Sequence, residues 1–162
     1  MVRSDVVLPW TDGPYDISFG HAKGNSSGLK ICYEKSGHRC LMATCTMRET
    51  HANFPGATHG GLIACALDEV MGQTVFVDSG ALAVSLEARI EWLASTPIHQ
   101  SLTINAQIIF KIGRFFAVAS ELRSGHKLCA KSSGLYFQPS AQMMAKMLRL
   151  KQLPSEAQSW FK

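Results

Sequence analysis

HANFPGATHGGLIACALDEVMGQ, residues 51–73, decides the architecture. Its first part breaks at Pro55 and Gly56. From Gly60 to Val77 the chain is apolar, interrupted by the charges of Asp68 and Glu69. That length and composition predict a helix that is apolar on nearly all sides, which other elements have to wrap. Two adjacent acids near its middle argue against a membrane span.

Outward from this helix the period changes from helical to two. Residues 82–93, LAVSLEARIEWL, alternate, with Leu82, Val84, Leu86, Ala88, Ile90 and Trp92 on one face and Ser85, Glu87, Arg89 and Glu91 on the other. Residues 101–111 repeat the pattern through Leu102, Ile104, Ala106, Ile108 and Phe110. Residues 114–123 and 127–138 read as strands joined at Ser124-Gly125-His126, a hairpin signal. Upstream, 29–35 and 39–48 read as two strands around Ser36-Gly37-His38, and residues 1–28 as an irregular lead-in. Ser140 after Pro139 opens an amphipathic helix to Lys151 with Met143, Met144, Met147, Leu148 and Leu150 on its apolar side. Four successive strands with short links imply an antiparallel sheet. The fold class is α+β: about five to six antiparallel strands around one long buried helix, with an extra C-terminal helix.

The 162 residues fit a single domain, 46% hydrophobic and 17% charged, with a mean hydropathy of +0.05. This excludes disordered and disulfide-scaffold classes. A net charge of +4 suits an anionic ligand, but no run of like charges marks a nucleic-acid tail. Cys32, Cys40, Cys45, Cys65 and Cys129 are odd in number and form no CxxC, as expected of free thiols in a reducing, cytoplasmic compartment. The N-terminus lacks the apolar core of a secretory signal. His51, His59 and Asp68 match no metal-ligand spacing, and Cys65 reads as a buried structural thiol.

Chemistry concentrates at the helix. His59-Gly60-Gly61 opens it, and a helix N-terminus offers unpaired N–H groups to a carbonyl oxygen becoming an oxyanion. Asp68 falls on a strip of small residues with Ala64 and Gly72, where an acid needs a partner or a task; Arg89 or a backbone donor would be a structural partner. Glu69, beside Gln73, is expected at the rim. Gly60 and Asp68 are eight residues apart, roughly 12 Å along one helix. A reacting carbon sits about 3 Å from both oxyanion donor and attacking group. Two antiparallel copies of the helix meet that condition, so a catalytic site here predicts a symmetric dimer with two shared sites.

The segment resembles the signature of hotdog-fold acyl-CoA thioesterases of the phenylacetate-pathway (PaaI-like) group. The matching residues are Asn53, Pro55, Gly56, His59-Gly60-Gly61, Asp68-Glu69 and Gly72; GNSSGLKI (24–31) and residues 112–137 extend the likeness. Where many relatives begin with a Cys-containing FxCG, this chain has Phe19-Gly20-His21. The resemblance implies an irregular lead-in over 1–16, a hotdog domain over 17–138 and a helical extension over 139–162. It implies hydrolysis of an acyl-CoA to free acid and CoA by a homodimer or dimer of dimers. Coenzyme A is then part of the substrate, and no separate cofactor, metal or nucleic acid is called for. Asp68 would be nucleophile or general base, Gly60 N–H the oxyanion donor, His59 an orienting contact and Asn53 a water- or carbonyl-positioning group. Ser85 aligns approximately with a water-binding Ser/Thr of some relatives. Its place on the polar face requires a bulge or the neighbouring subunit to bring it in. Lys111, Arg114, Lys127 and Lys131 are candidates for CoA phosphates. A non-catalytic acyl-CoA binder and an enoyl-CoA hydratase or dehydratase are the alternatives.

Overall fold

The computed structural model describes residues 4–11, 13–14 and 16–161. The expected lead-in therefore lies outside the described residues at 1–3, 12 and 15, and the extension at 162. In chain order the elements are β1 (Ser4–Asp5), β2 (Cys32–Gly37), β3 (Cys40–Thr46), a 3-10 turn (Glu49–His51), β4 (Ala52–Phe54) and β5 (Ala57–Thr58). Then follow α1 (Gly60–Ser79), β6 (Val84–Trp92), β7 (Ser101–Ile112), β8 (Phe115–Ser124), β9 (Lys127–Phe137), α2 (Ala141–Met147) and α3 (Ser155–Gln158).

Six long strands and the two-residue β1 form one antiparallel sheet in the order β1-β2-β3-β7-β8-β9-β6. Turn chemistry sets the hairpins: Gly113 and Gly125 take left-handed φ of 55° and 56° between β7, β8 and β9. α1 lies across the sheet, touching β3, β6, β7, β8 and β9. Its ends are defined chemically. His59 caps the start by accepting from Gly61 N–H, and Gly80 closes the end in the left-handed conformation with its N–H on Phe76 O. Ile63, Ala66, Leu67, Val70, Met71 and Val75 are sealed against inward residues such as Leu41, Ile104, Val118 and Tyr136. By length and composition α1 is apolar enough to cross a bilayer, yet this face is buried in the sheet.

Two expectations need correction. The lead-in is not irregular throughout: it supplies β1, and Leu8 and Trp10 enter the core. Trp10 meets Phe76 and Trp160 edge-on at 4.9 and 5.1 Å, which seats the lead-in and the C-terminal extension on one core. Trp92 lies on the helix-facing side, as its alternation predicts, with its indole against Gly60, but it and Leu86 are not buried; they are 55% and 53% exposed. The cause is position. β6 ends the sheet order, and among the described residues its strand partner is β9 alone.

Candidate active site

α1 leaves one strip open. Gly61, Ala64, Cys65 and Asp68 face a groove of about 500 Å³ against β6, whose far wall carries Ser85 and Ile90. A smaller cavity of about 120 Å³ adjoins it, lined by Asp68, Glu69, Gly72, Gln73, Ser85 and Tyr136. Asp68 and Ser85 belong to both spaces.

Ser85 reaches this position through a register shift between Ser85 and Glu87 on β6. Strict alternation would keep Ser85 on the face opposite the helix. The bulge pairs Ser85 with Tyr136, which points inward and is sealed at 1% exposure. Leu86, the extra residue, is exposed and lines the groove.

Asp68 is half-buried, and its partner is neither Arg89 nor a main-chain donor. The Tyr136 hydroxyl donates to Asp68 Oδ1 at 2.7 Å. Burial first, then the Asp68 carboxylate, pushes the Tyr136 phenol far above its ordinary value, so it stays a donor throughout the working pH range. One carboxylate oxygen is thereby engaged; the other has no hydrogen-bond partner among the described residues, and Asp68 lines the groove. Arg89 is exposed and reaches Glu91 at 3.9 Å. Tyr136 went unread in the sequence because it looks like any inward aromatic of a strand, 68 residues from its partner.

Glu69 is not a rim residue. It accepts from His21 Nδ1 at 3.0 Å, Tyr33 Oη and Gln73 Nε2 at 3.3 Å, and Ser18 Oγ at 3.5 Å. Trp10 Nε1–H donates to His21 Nε2 at 2.9 Å, which leaves the His21 proton on Nδ1, facing Glu69. Burial pushes the Glu69 carboxyl up, but donation by His21, then Gln73 and Tyr33, outweighs it and holds the group below its ordinary value. Gly20 packs directly on Glu69, so the loop Ser18–His21 clasps this acid. The two neighbouring acids are thus divided: Glu69 is consumed in holding the N-terminal segment, and Asp68 is presented to the groove.

At the helix start three of the first four amides are occupied. Gly61 N–H goes to His59 Nδ1 at 2.9 Å, and Leu62 and Ile63 N–H go to His59 O. Among the described residues Gly60 N–H alone of the four has no partner, and it remains for a ligand oxygen. Because His59 Nδ1 accepts, its ring proton sits on Nε2, and the residue is exposed. Trp92 Nε1–H donates to Gly60 O at 3.2 Å, which fixes the carbonyl of that glycine. Asn53 sits at the bulge of the β4–β5 hairpin, exposed and away from the Asp68 groove. His51 is buried; its Nδ1 accepts from Arg48 N–H at 3.2 Å, and it serves the fold.

The structure does not gather the four candidate phosphate-binding cations. Arg114 precedes β8 and Lys127 follows it, so ten residues of extended strand, roughly 33 Å, part them. Lys111 lies over the Phe116 ring at 4.8 Å, Arg114 donates to Gln138 O, and Lys131 pairs with Glu91 at 3.3 Å. Among the described residues no group of three His, Cys, Asp or Glu converges as a metal site.

The architecture is that of the hotdog-fold thioesterase structures. A thioesterase-superfamily protein superposes with a TM-score of 0.64 at 23% identity over 70% of this chain, and the match covers 56% of that protein's length. A putative thioesterase from Ralstonia eutropha, related to phenylacetic acid degradation, gives 0.63 at 19% identity over 67% of this chain and 85% of its own. A hypothetical thioesterase from Streptococcus pneumoniae, solved with coenzyme A, gives 0.61 at 19% identity over 66% and 86%. At such identities the likeness establishes the fold. No protein-family model matches the chain, and no curated protein matches it by sequence.

Proposed function

We propose that this chain hydrolyses an acyl-CoA thioester to a free acid and CoA at a site shared by two copies. The observation that carries the reading is the pairing of Asp68 with Tyr136 at the mouth of an open groove, with an unoccupied Gly60 N–H about 12 Å away on the same helix. Thioesterase folds among the structural neighbours, one of them holding coenzyme A, support the substrate class.

Asp68 takes a proton from water as the water oxygen attacks the thioester carbon. The carbonyl oxygen, now an anion, accepts from Gly60 N–H of the partner, and collapse expels the CoA thiolate, which receives the proton. In the nucleophilic variant Asp68 attacks directly, CoA leaves, and water cleaves the acyl-aspartyl anhydride. Ser85 holds water beside Asp68, while His59 Nε2–H and Asn53 act from the partner's helix start. The dimer would form where two features coincide. β6 has a free edge, and the small-residue strip of α1 runs beside it uncovered. CoA phosphates meet the cations of one sheet end, either Lys111 and Arg114 or Lys127, with Lys131 between. The chemistry needs no further cofactor, and the free thiols fit a cytoplasmic setting.

A panel of acyl-CoAs assayed for thiol release tests the proposal. Wild type should turn over, and Asp68→Asn and Asp68→Ala should lose about 10²–10⁴-fold in kcat. Full activity in both variants would remove Asp68 from the mechanism, and saturable acyl-CoA binding without product would make the protein a binder.

A further inference from the structure

We propose that the β7–β8 hairpin tip and the segment around α2 form a docking face for an anionic lipid surface. All seven residues from Ile109 to Phe115 are exposed. Four are large and apolar: Ile109, Phe110, Ile112 and Phe115 are 61%, 59%, 64% and 42% exposed. Between them stand Lys111 and Arg114. A solvent-facing hairpin tip has no folding reason to carry this composition.

The patch is continuous across strands. A register shift between Ile108 and Phe110 turns Phe110 to the outer face, in the row of Ala117 and Leu135. The next row holds Ile112, Phe115 and Phe137, and the rings of Phe115 and Phe137 lie 4.9 Å apart. The α2 region joins the same end of the molecule. Gln138 N–H donates to Arg114 O at 2.9 Å, and Ser140 caps α2 two residues later. Met143, Met147, Leu148 and Leu150 are exposed there, with Lys146, Arg149 and Lys151 interleaved.

Charge selects the occupant. The two stretches that form the face, residues 109–115 and 138–153, carry five Lys and Arg and no Asp or Glu. A second copy on this face would set Lys111, Arg114, Lys146, Arg149 and Lys151 against themselves. A nucleic acid would match the charge and leave the apolar side chains wet. An anionic bilayer satisfies both, receiving apolar side chains at the acyl boundary and cations at the headgroups.

Sedimentation with vesicles tests this. The full chain should pellet with equal parts phosphatidylcholine and phosphatidylserine at low salt, stay in solution with phosphatidylcholine alone, and be released by high salt. Phe110→Ser with Ile112→Ser, and separately Lys146→Glu with Arg149→Glu and Lys151→Glu, should each weaken binding at least about tenfold. Both variants should melt within a few degrees of wild type, since every altered side chain is exposed. Failure of the wild type to bind, or undiminished binding by either variant, would overturn the proposal. So would a fall in assembly size with Phe110→Ser and Ile112→Ser, which would assign the face to a second copy.

Discussion

Tyr136→Phe removes one oxygen and with it the 2.7 Å hydrogen bond to Asp68 Oδ1. A hydrogen bond to a charged group contributes about 1.5–3 kcal/mol in a dry setting. Asp68 is half-buried beside an open groove, so water replaces much of the loss, and the stability cost should be about 1 kcal/mol. For a chain of this size that lowers Tm by about 2–4 °C. Phe fills the same volume, so no cavity penalty is added. The kinetic effect should be larger, because the phenol holds the carboxylate by one oxygen beside the groove. Misplacement of a reacting group by about 1 Å costs on the order of 10²-fold. Steady-state hydrolysis should therefore show kcat reduced about 10- to 100-fold with KM within about twofold of wild type. In an Asp68→Asn background the same substitution should cost almost nothing further, since both act through one group. Unchanged kcat in Tyr136→Phe, or losses that multiply in the double variant, would refute the role given to this phenol.

Other outcomes follow from the same geometry. Gly60→Pro deletes the one unoccupied amide at a helix position that accepts proline, provided the exposed Trp92 indole, 3.3 Å from the added carbon, shifts slightly. It should lower kcat about 10²–10³-fold with the fold intact by circular dichroism. Acid should destabilise the protein in two stages. Burial chiefly holds the His51 imidazole below its ordinary value, so the unfolded chain binds more protons, and this contribution is full above pH 6.5 and lost as pH falls. Glu69, also held low, contributes fully above about pH 4.5 and less as pH drops further. Melting against pH should lose the upper slope in His51→Gln and the lower in Glu69→Gln; slopes unchanged in either variant would contradict the corresponding assignment.

What was legible in the sequence was whatever depends on neighbours. The alternation of residues 101–111, the hairpin at Gly125 and the long apolar run from Gly60 each predict an element that the structure contains. Contacts made across the chain were not legible. Glu69 looked peripheral because its donors His21 and Tyr33 stand 48 and 36 residues away. Alternation in β6 set Ser85 on the wrong face because no local signal marked the bulge after it. The exposure of Leu86 and Trp92 depends on β6 being the edge strand, which only the whole sheet order decides. In the same way the four candidate phosphate-binding cations look close in sequence, but β8 carries Arg114 and Lys127 to opposite ends of the sheet.

Mixing two inactive variants examines the sharing of the site most directly. Asp68→Asn keeps its helix start and Gly60→Pro keeps its carboxylate. After the two are unfolded and refolded together in equal amounts, half the dimers should be mixed, each with one intact site. Hydrolysis should then recover to about a quarter of the wild-type rate. Recovery no greater than the sum of the two variants refolded alone would mean that carboxylate and amide act within one chain, and the shared site would be wrong.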